Sequence, residues 1–284
     1  MLTVLDAINL SADYLKKKNI ESPRINAEHL LSHVLKRKRL ELYLSFDKPL
    51  NEDETNLYRE LIRRRGTSEP LQYILGSVEF YGLEFRVTRD VLIPRPETEI
   101  LVEKIIESFD KNSHLKILDI GTGSGNIAIS LAKNFNNAKI TGLDVSGEAL
   151  AIAKENSRLN NVNGNVKFEM LDVLNKNFNS EVKYDVIVSN PPYVSVKEYP
   201  ELRPELNVYE PRIALTDEND GLNFYRVISE KSKNILEKDG QIFYEIGQGQ
   251  TNEIKNILEK NNFSDIKIFK DYSDIERVIT GVLN

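Results

Sequence analysis

The sequence predicts an α/β protein: a doubly wound, mainly parallel sheet with helices on both faces, preceded by a small helical bundle and a β-hairpin connector. Three observations predict it. Strand-like and helix-like segments alternate from Leu115 onward, apolar residues recur at three- and four-residue steps over residues 1–72, and two short β-rich runs closed by Pro94 and Pro96 separate these patterns. With 284 residues the chain has room for about two domains of roughly 100–200 residues each. We expect an N-terminal helical domain at 1–72, the hairpin connector at 73–95 and an α/β domain at 96–284.

Leu2, Leu5, Ile8, Ala12 and Leu15 form one apolar stripe of a first helix. Ser22-Pro23 reads as an N-cap with proline at the first helical position, opening a helix that buries Leu30, Leu31, Val34 and Leu35. Asn51 and Glu54 have capping-box spacing ahead of Leu57, Leu61 and Ile62. Val78–Phe80 and Leu83–Val87 flank Tyr81-Gly82 as a hairpin, and a helix starts at Glu97. Strands then follow at Leu115–Ile120, Lys139–Leu143, Val166–Met170, Tyr184–Ser189, Gln241–Ile246, Ile266–Phe269 and Arg277–Val282. Helices lie between them at Ile127–Ala132, Ala149–Leu159, Leu222–Leu236 and Glu253–Leu258. Ligands of such sheets bind beyond the carboxyl ends of the strands.

Charge and composition exclude several classes. The formal net charge is −6, which argues against a protein held to nucleic acid by bulk charge. The basic runs Lys36–Arg39 and Arg63–Arg65 sit in a segment, residues 1–80, with 13 basic and 12 acidic side chains, so they read as solvated helix surface or a protein contact. The chain has no Cys, which removes disulfides, thiolate metal sites and cysteine nucleophiles, and its His29, His33 and His114 are too scattered for a metal cluster. No metal is expected. No apolar run approaches the roughly 20 residues that cross a bilayer, and Asp6 and Asp13 interrupt the N-terminal apolar positions as no signal peptide does. A cytoplasmic protein without membrane attachment is expected.

The first strand of the α/β region runs into Asp119-Ile-Gly121-Thr122-Gly123-Ser124-Gly125 ahead of a helix. Such a loop lets a ligand approach the backbone. Its spacing differs from the G-x-G-x-x-G of a pyrophosphate turn. Asp119 would repel a diphosphate more readily than a sulfonium ligand bearing an ammonium, and Asp144 ends the next strand, where a carboxylate accepts ribose hydroxyls. Together these point to S-adenosylmethionine. Asp172 ends the third strand, where it either accepts the adenine amino group, with Val173 packing on the ring, or serves as an ordinary turn carboxylate.

After the fourth strand comes Asn190-Pro191-Pro192-Tyr193. Two prolines make a stiff loop with bare carbonyls. A planar NH₂ group is a poor nucleophile, because its lone pair is delocalised. The Asn190 side-chain oxygen and the Pro191 carbonyl can accept its two hydrogens, holding the nitrogen in line with a methyl group and stabilising the charge that develops there, while Tyr193 stacks on the planar substrate.

These motifs resemble a class I, seven-stranded, Rossmann-like methyltransferase acting on a planar amino group. Further stretches resemble one family, the bacterial peptide chain release factor glutamine methyltransferases: Pro70–Gly76, Ile93–Glu99, Tyr209–Leu215 and Phe243–Gly247. The resemblance covers essentially the whole chain and implies methylation of the side-chain amide of the glutamine in the Gly-Gly-Gln motif of class 1 release factors. It implies that Gly121, Thr122, Gly123, Ser124, Gly125, Asp144, Val173 and Asn190 touch the cofactor, and that Asn190, Pro191, Pro192 and Tyr193 touch the glutamine. Ile93, Pro94, Arg95 and Pro96 would line the same pocket, and the helical domain and hairpin would grip the release factor. Val173 departs from the aromatic residue that many relatives carry. The expected partner is a protein, with no direct nucleic acid contact, and the enzyme is expected to be a monomer. Rival readings are a methyltransferase for an exocyclic amine of adenine or cytosine, a nicotinamide-dependent oxidoreductase and a non-catalytic S-adenosylmethionine-binding adaptor. The small, near-neutral extra domain, the loop spacing and the intact Asn190 argue against them in turn.

Overall fold

The computed structural model describes residues 2–176, 178, 180 and 182–284. It divides into two compact units, one of residues 1–77 with 204–209 and one of residues 78–203 with 210–284.

The first unit is helical: α1 (Val4–Lys17), α2 (Pro23–Leu35), α3 (Arg39–Leu42), α4 (Glu52–Arg65) and α5 (Leu71–Leu75). Ile8, Leu15, Leu30, Leu31, Leu42, Tyr58 and Leu61 meet in its core. The Asn51–Glu54 capping box forms as predicted, both bonds at 2.8 Å. Thr3 and Asp6 form a second box on α1. Ser22 precedes α2 but does not cap it: its φ is 47° and no side-chain bond forms. An N-cap needs extended backbone, and here the Asn26 amide instead donates to the carbonyls of Glu21 and Ser22, at 3.0 and 3.1 Å. The basic run on α4 is also not all surface. Arg65 is buried and donates to Asn26 Oδ1 at 2.7 Å, to the Glu69 carbonyl at 3.2 Å and to Glu205 at 3.2 Å. The last partner lies in Pro204–Tyr209, whose Tyr209 hydroxyl donates to the Thr67 carbonyl at 2.8 Å. Tyr73 to Leu75, expected at the start of a β-rich connector, are helical, between Pro70 at the N-cap and Gly76 at φ 80°.

The second unit begins at Val78, one residue into the hairpin of β1 (Ser77–Phe80) and β2 (Leu83–Arg86), and continues with α6 (Thr98–Ser108). There follow β3 (Lys116–Ile120), α7 (Asn126–Asn134), β4 (Lys139–Asp144), α8 (Gly147–Leu159), β5 (Val166–Met170) and β6 (Tyr184–Ser189). The remainder is α9 (Pro204–Asn207, part of the helical unit), α10 (Arg212–Leu215), α11 (Asn223–Ile235), β7 (Leu236–Glu245), α12 (Thr251–Lys260), β8 (Phe263–Lys270) and β9 (Glu276–Leu283). The seven-stranded sheet runs β5-β4-β3-β6-β7-β9-β8, with β9 antiparallel to both neighbours and the other pairings parallel. This is the predicted α/β class. Two apolar clusters cover the two faces, one around Leu101, Ile117, Leu131, Val186 and Phe243, the other around Leu118, Ile187, Tyr225, Ile242 and Ile279. The last long parallel strand begins at Leu236, five residues earlier than Gln241. The four-residue helices α9 and α10 lie where the sequence shows no periodicity, since one turn is too short to display one. Among the described residues no helix is long and apolar enough to cross a membrane.

Candidate active site

From β3 the chain winds outward through β4 to β5, and β6 returns to the other side of β3. The pair β3–β6 is therefore the switch point of the sheet, where loops leave in opposite directions and open a crevice at the carboxyl ends. Ile120 pairs with Ser189 there, and the Ser189 hydroxyl donates to the Ile120 carbonyl at 2.7 Å. The glycine loop leaves one strand and Asn190 begins the loop from the other, so the fold brings together the two motifs that the sequence singled out.

The glycine loop is held from behind. The backbone N–H groups of Gly121 and Thr122 donate to the Leu143 carbonyl, at 2.9 and 2.8 Å. The Thr122 hydroxyl donates to Asp119 at 2.6 Å, in space that Gly142 leaves: a Cβ on Gly142 would stand 2.8 Å from that hydroxyl. Gly121 and Gly123 have φ of 75° and 54°, and a Cβ on either would meet nothing within 4 Å. That open face, beside the positive end of α7, suits a nucleoside ligand lying against backbone. Thr122 and Ser124 are buried, so their side chains belong to the loop's interior.

The three strand-end carboxylates are distinct. Asp119 is fully buried, and burial pushes its carboxyl up to about 7 although the Thr122 bond opposes this. Asp144 spans the loop: one oxygen accepts from the Gly123 N–H at 2.8 Å and the other from the Ser146 N–H at 3.0 Å. Asp172 is exposed and accepts from the Leu174 N–H at 2.7 Å through one carboxylate oxygen, while Val173 is buried in the apolar cluster of one sheet face. A stability prediction follows for Asp119. Its proton affinity is raised on folding, so its contribution is complete in acid and is lost as pH rises through about 7. Asp119→Asn should gain stability relative to the native chain between pH 5 and pH 8.5, by on the order of 1–3 kcal/mol; equilibrium unfolding at both values checks it, and a constant difference would contradict it.

Asn190 is half-buried, and its Nδ2 donates to the Thr98 hydroxyl at the start of α6, at 3.3 Å. With Nδ2 so engaged, Oδ1 is the end left for a ligand. Pro191 is buried and Pro192 and Tyr193 are half-buried. The loop is clamped on several sides. The Tyr193 carbonyl accepts from Gln250 Nε2 at 3.0 Å, the Val194 N–H donates to the Leu215 carbonyl at 3.0 Å, and Val194 bridges Thr216. Gly221, at φ 80°, lies so close that a Cβ there would stand 2.3 Å from the Tyr193 carbonyl. Asp217 fixes that glycine, accepting from the N–H groups of Asn219, Gly221 and Asn223 at 2.8, 2.9 and 2.9 Å. Burial raises the Tyr193 hydroxyl pKa, so the ring is neutral at physiological pH.

Ile93 and Pro94 are buried, while Arg95 is half-buried and paired with Glu210. The second Glu210 oxygen accepts from the Ile93 N–H at 3.2 Å, so one buried carboxylate fastens this segment. Burial raises the Glu210 pKa, and Arg95 opposes the shift. Sequence reasoning gave no role to Thr98, Glu210, Gly221, Glu245 or Gln250. Thr98, Glu210 and Glu245 lie in stretches that carry the family resemblance, and Glu245 is in addition an acid within the apolar strand run Ile242-Phe-Tyr-Glu245-Ile246. No group of three or more acidic or histidine side chains able to hold a metal occurs among the described residues.

The sheet and the loops at its switch point are those of a methyltransferase. The methyltransferase small domain family model matches residues 97–203, and a solved methyltransferase from Pyrococcus furiosus, 21% identical, aligns with TM-score 0.52 over 72% of this chain and 90% of that one. The PrmC N-terminal domain model matches residues 6–76. A release factor glutamine methyltransferase of Fusobacterium nucleatum is 43% identical over 276 residues, covering 97% of this chain and 77% of its own. One from Clostridium acetobutylicum is 39% identical over 281 residues, 99% of each chain. The chain belongs to the release factor glutamine methyltransferase family.

Proposed function

We propose that this protein transfers a methyl group from S-adenosylmethionine to the side-chain amide nitrogen of the glutamine in the Gly-Gly-Gln motif of class 1 release factors. The observation that carries this reading is the placement of Asn190 at the switch point, beside the glycine loop, with its amide nitrogen tied to Thr98 and its oxygen left to accept. The open Gly121–Gly123 backbone and the Asp144 carboxylate fit the nucleoside. When bound, the cofactor supplies an electrophilic methyl on a sulfonium.

The chain's own groups do the rest. Asn190 Oδ1 and the Pro191 carbonyl take the two amide hydrogens of the glutamine and fix its nitrogen along the line of transfer. As methyl transfer proceeds, the nitrogen–carbon bond replaces the sulfur–carbon bond and positive charge grows on the nitrogen, where two fixed acceptors stabilise it with no reorganisation. The amide then gives up one proton to water. Tyr193 packs against the planar amide. Asp144 takes the ribose hydroxyls in exchange for part of its hold on the loop. Ile93, Pro94 and Arg95 wall the glutamine side, and the 1–72 helical domain with the hairpin grips the release factor. We further propose a cytoplasmic monomer that acts on protein; the net charge of −6 supports the absence of nucleic acid contact.

Incubation of the protein with S-adenosylmethionine and a purified release factor, followed by peptide mass spectrometry, tests this. The expected result is one methyl group on the Gly-Gly-Gln glutamine. Label found only on added DNA or RNA would favour the exocyclic-amine reading and end this one.

A further inference from the structure

We propose that Thr98 and Glu245 are positioning residues for methyl transfer, together holding the Asn190 carboxamide by its nitrogen so that its oxygen faces the substrate amide. The inference rests on the function proposed above.

A carboxamide has two ends of nearly equal size, and only its hydrogen bonds decide which end points where. Presented backwards, Asn190 would offer an NH₂ to an NH₂, which neither binds the glutamine nor stabilises positive charge. The fold prevents this through a directed chain. Asn190 Nδ2 donates to Thr98 Oγ1 at 3.3 Å. A hydroxyl that accepts there sends its own proton elsewhere, and the neighbouring acceptor is Glu245. Parallel pairing of Ser189 with Tyr244 sets Asn190 and Glu245 side by side at the ends of β6 and β7. Thr98 first, and Asn190 more weakly, lower the Glu245 carboxyl pKa against burial, as donors lying beside it do. Thr98 and Glu245 are each 2% exposed, so no bulk water competes for these bonds.

Stability gives no reason for an acid here. Glu245 is the final residue of a central strand, among apolar neighbours, and its Oε2 has no hydrogen-bond partner. A buried carboxylate with one oxygen unpartnered costs folding free energy. Its use is directional. An ionised Glu245 only accepts, so Thr98 must donate to it and accept from Asn190, and the chain strengthens along its length. A protonated Glu245 can donate to Thr98, freeing the hydroxyl to donate to Asn190 and turning the carboxamide round. The charged and titratable groups around it are Arg277 from β9, Glu97 ahead of α6, Tyr193 from the proline loop and Tyr225 from α11. Burial pushes the Glu245 carboxyl up to about 7, against Thr98 and Arg277.

The test compares the full-length native protein with Thr98→Val, Thr98→Ser and Glu245→Gln, measuring kcat and KM on release factor between pH 5.5 and 9, cofactor affinity by calorimetry and melting temperature. Thr98→Val should lose about 10- to 100-fold in kcat, with KM and cofactor affinity within about threefold, and Thr98→Ser should restore most of the loss. The native kcat should fall on the acid side of about pH 7, and Glu245→Gln should lower kcat, lack that acid limb and melt no lower than the native chain. Thr98→Val with native kcat, Thr98→Ser as impaired as Thr98→Val, or an acid limb surviving in Glu245→Gln would each overturn the inference. An active native enzyme with indifferent variants removes this inference alone; a native chain that makes no methylglutamine removes the proposed function and this with it.

Discussion

Asn190→Ala is expected to lower kcat by about 100- to 1,000-fold while leaving cofactor affinity within a few fold. The asymmetry comes from when the interaction matters. In the ground state the glutamine amide is neutral and its hydrogens are weakly acidic, so losing one acceptor costs little binding. In the transition state the nitrogen carries part of the sulfonium's charge, and the same acceptor meets hydrogens that have become strong donors. The substitution leaves the Gly121–Gly123 face and the Asp144 bonds to Gly123 and Ser146 untouched. Single-turnover kinetics with calorimetric titration of S-adenosylmethionine checks it. A variant with near-native kcat would remove Asn190 from the chemistry, and one that loses cofactor binding in proportion would make it a cofactor ligand only.

Gly221→Ala should be the most damaging small substitution outside the two loops of the crevice. Its Cβ would stand 2.3 Å from the Tyr193 carbonyl, a backbone atom in a loop stiffened by two prolines, and at φ 80° the residue is strained even without that clash. The loop and its clamp cannot both stay in place. We expect a loss of about 2–4 kcal/mol in stability and, in the fraction that remains folded, a kcat lowered at least tenfold. Equilibrium unfolding read beside kcat separates these effects. An alanine variant with native stability and native kcat would mean that the Tyr193 carbonyl is not held where the structure puts it.

What could be read from the sequence follows the range of the forces involved. Strand and helix alternation, the Asn51–Glu54 capping box, the glycine turn and Asn190 are written in neighbouring residues, and their local periodicity or spacing carries them. The Thr98 hydroxyl that accepts from Asn190 lies 92 residues away in sequence. Glu210 reaches Ile93 across 117 residues, and Gln250 reaches Tyr193 across 57. No window of sequence contains such pairs; the sheet order does. Ser22 shows the converse, a residue type suited to capping whose backbone adopts a conformation in which it cannot cap. Arg65 shows that a charge run read as surface can hide one buried member when a partner arrives from 140 residues away.

That distant partner has a consequence for dissecting the chain. Because Pro204–Tyr209 is part of the helical unit, the polypeptide passes between the units at 77–78, 203–204 and 209–210. No single cut separates them. A fragment ending at Ser77 would keep a guanidinium in its interior without its carboxylate, and a fragment starting at Val78 would carry a six-residue graft stripped of its host. Genetic bisection should therefore yield two poorly behaved halves, whereas a break in the 204–209 graft that leaves both flanks tethered should be far better tolerated.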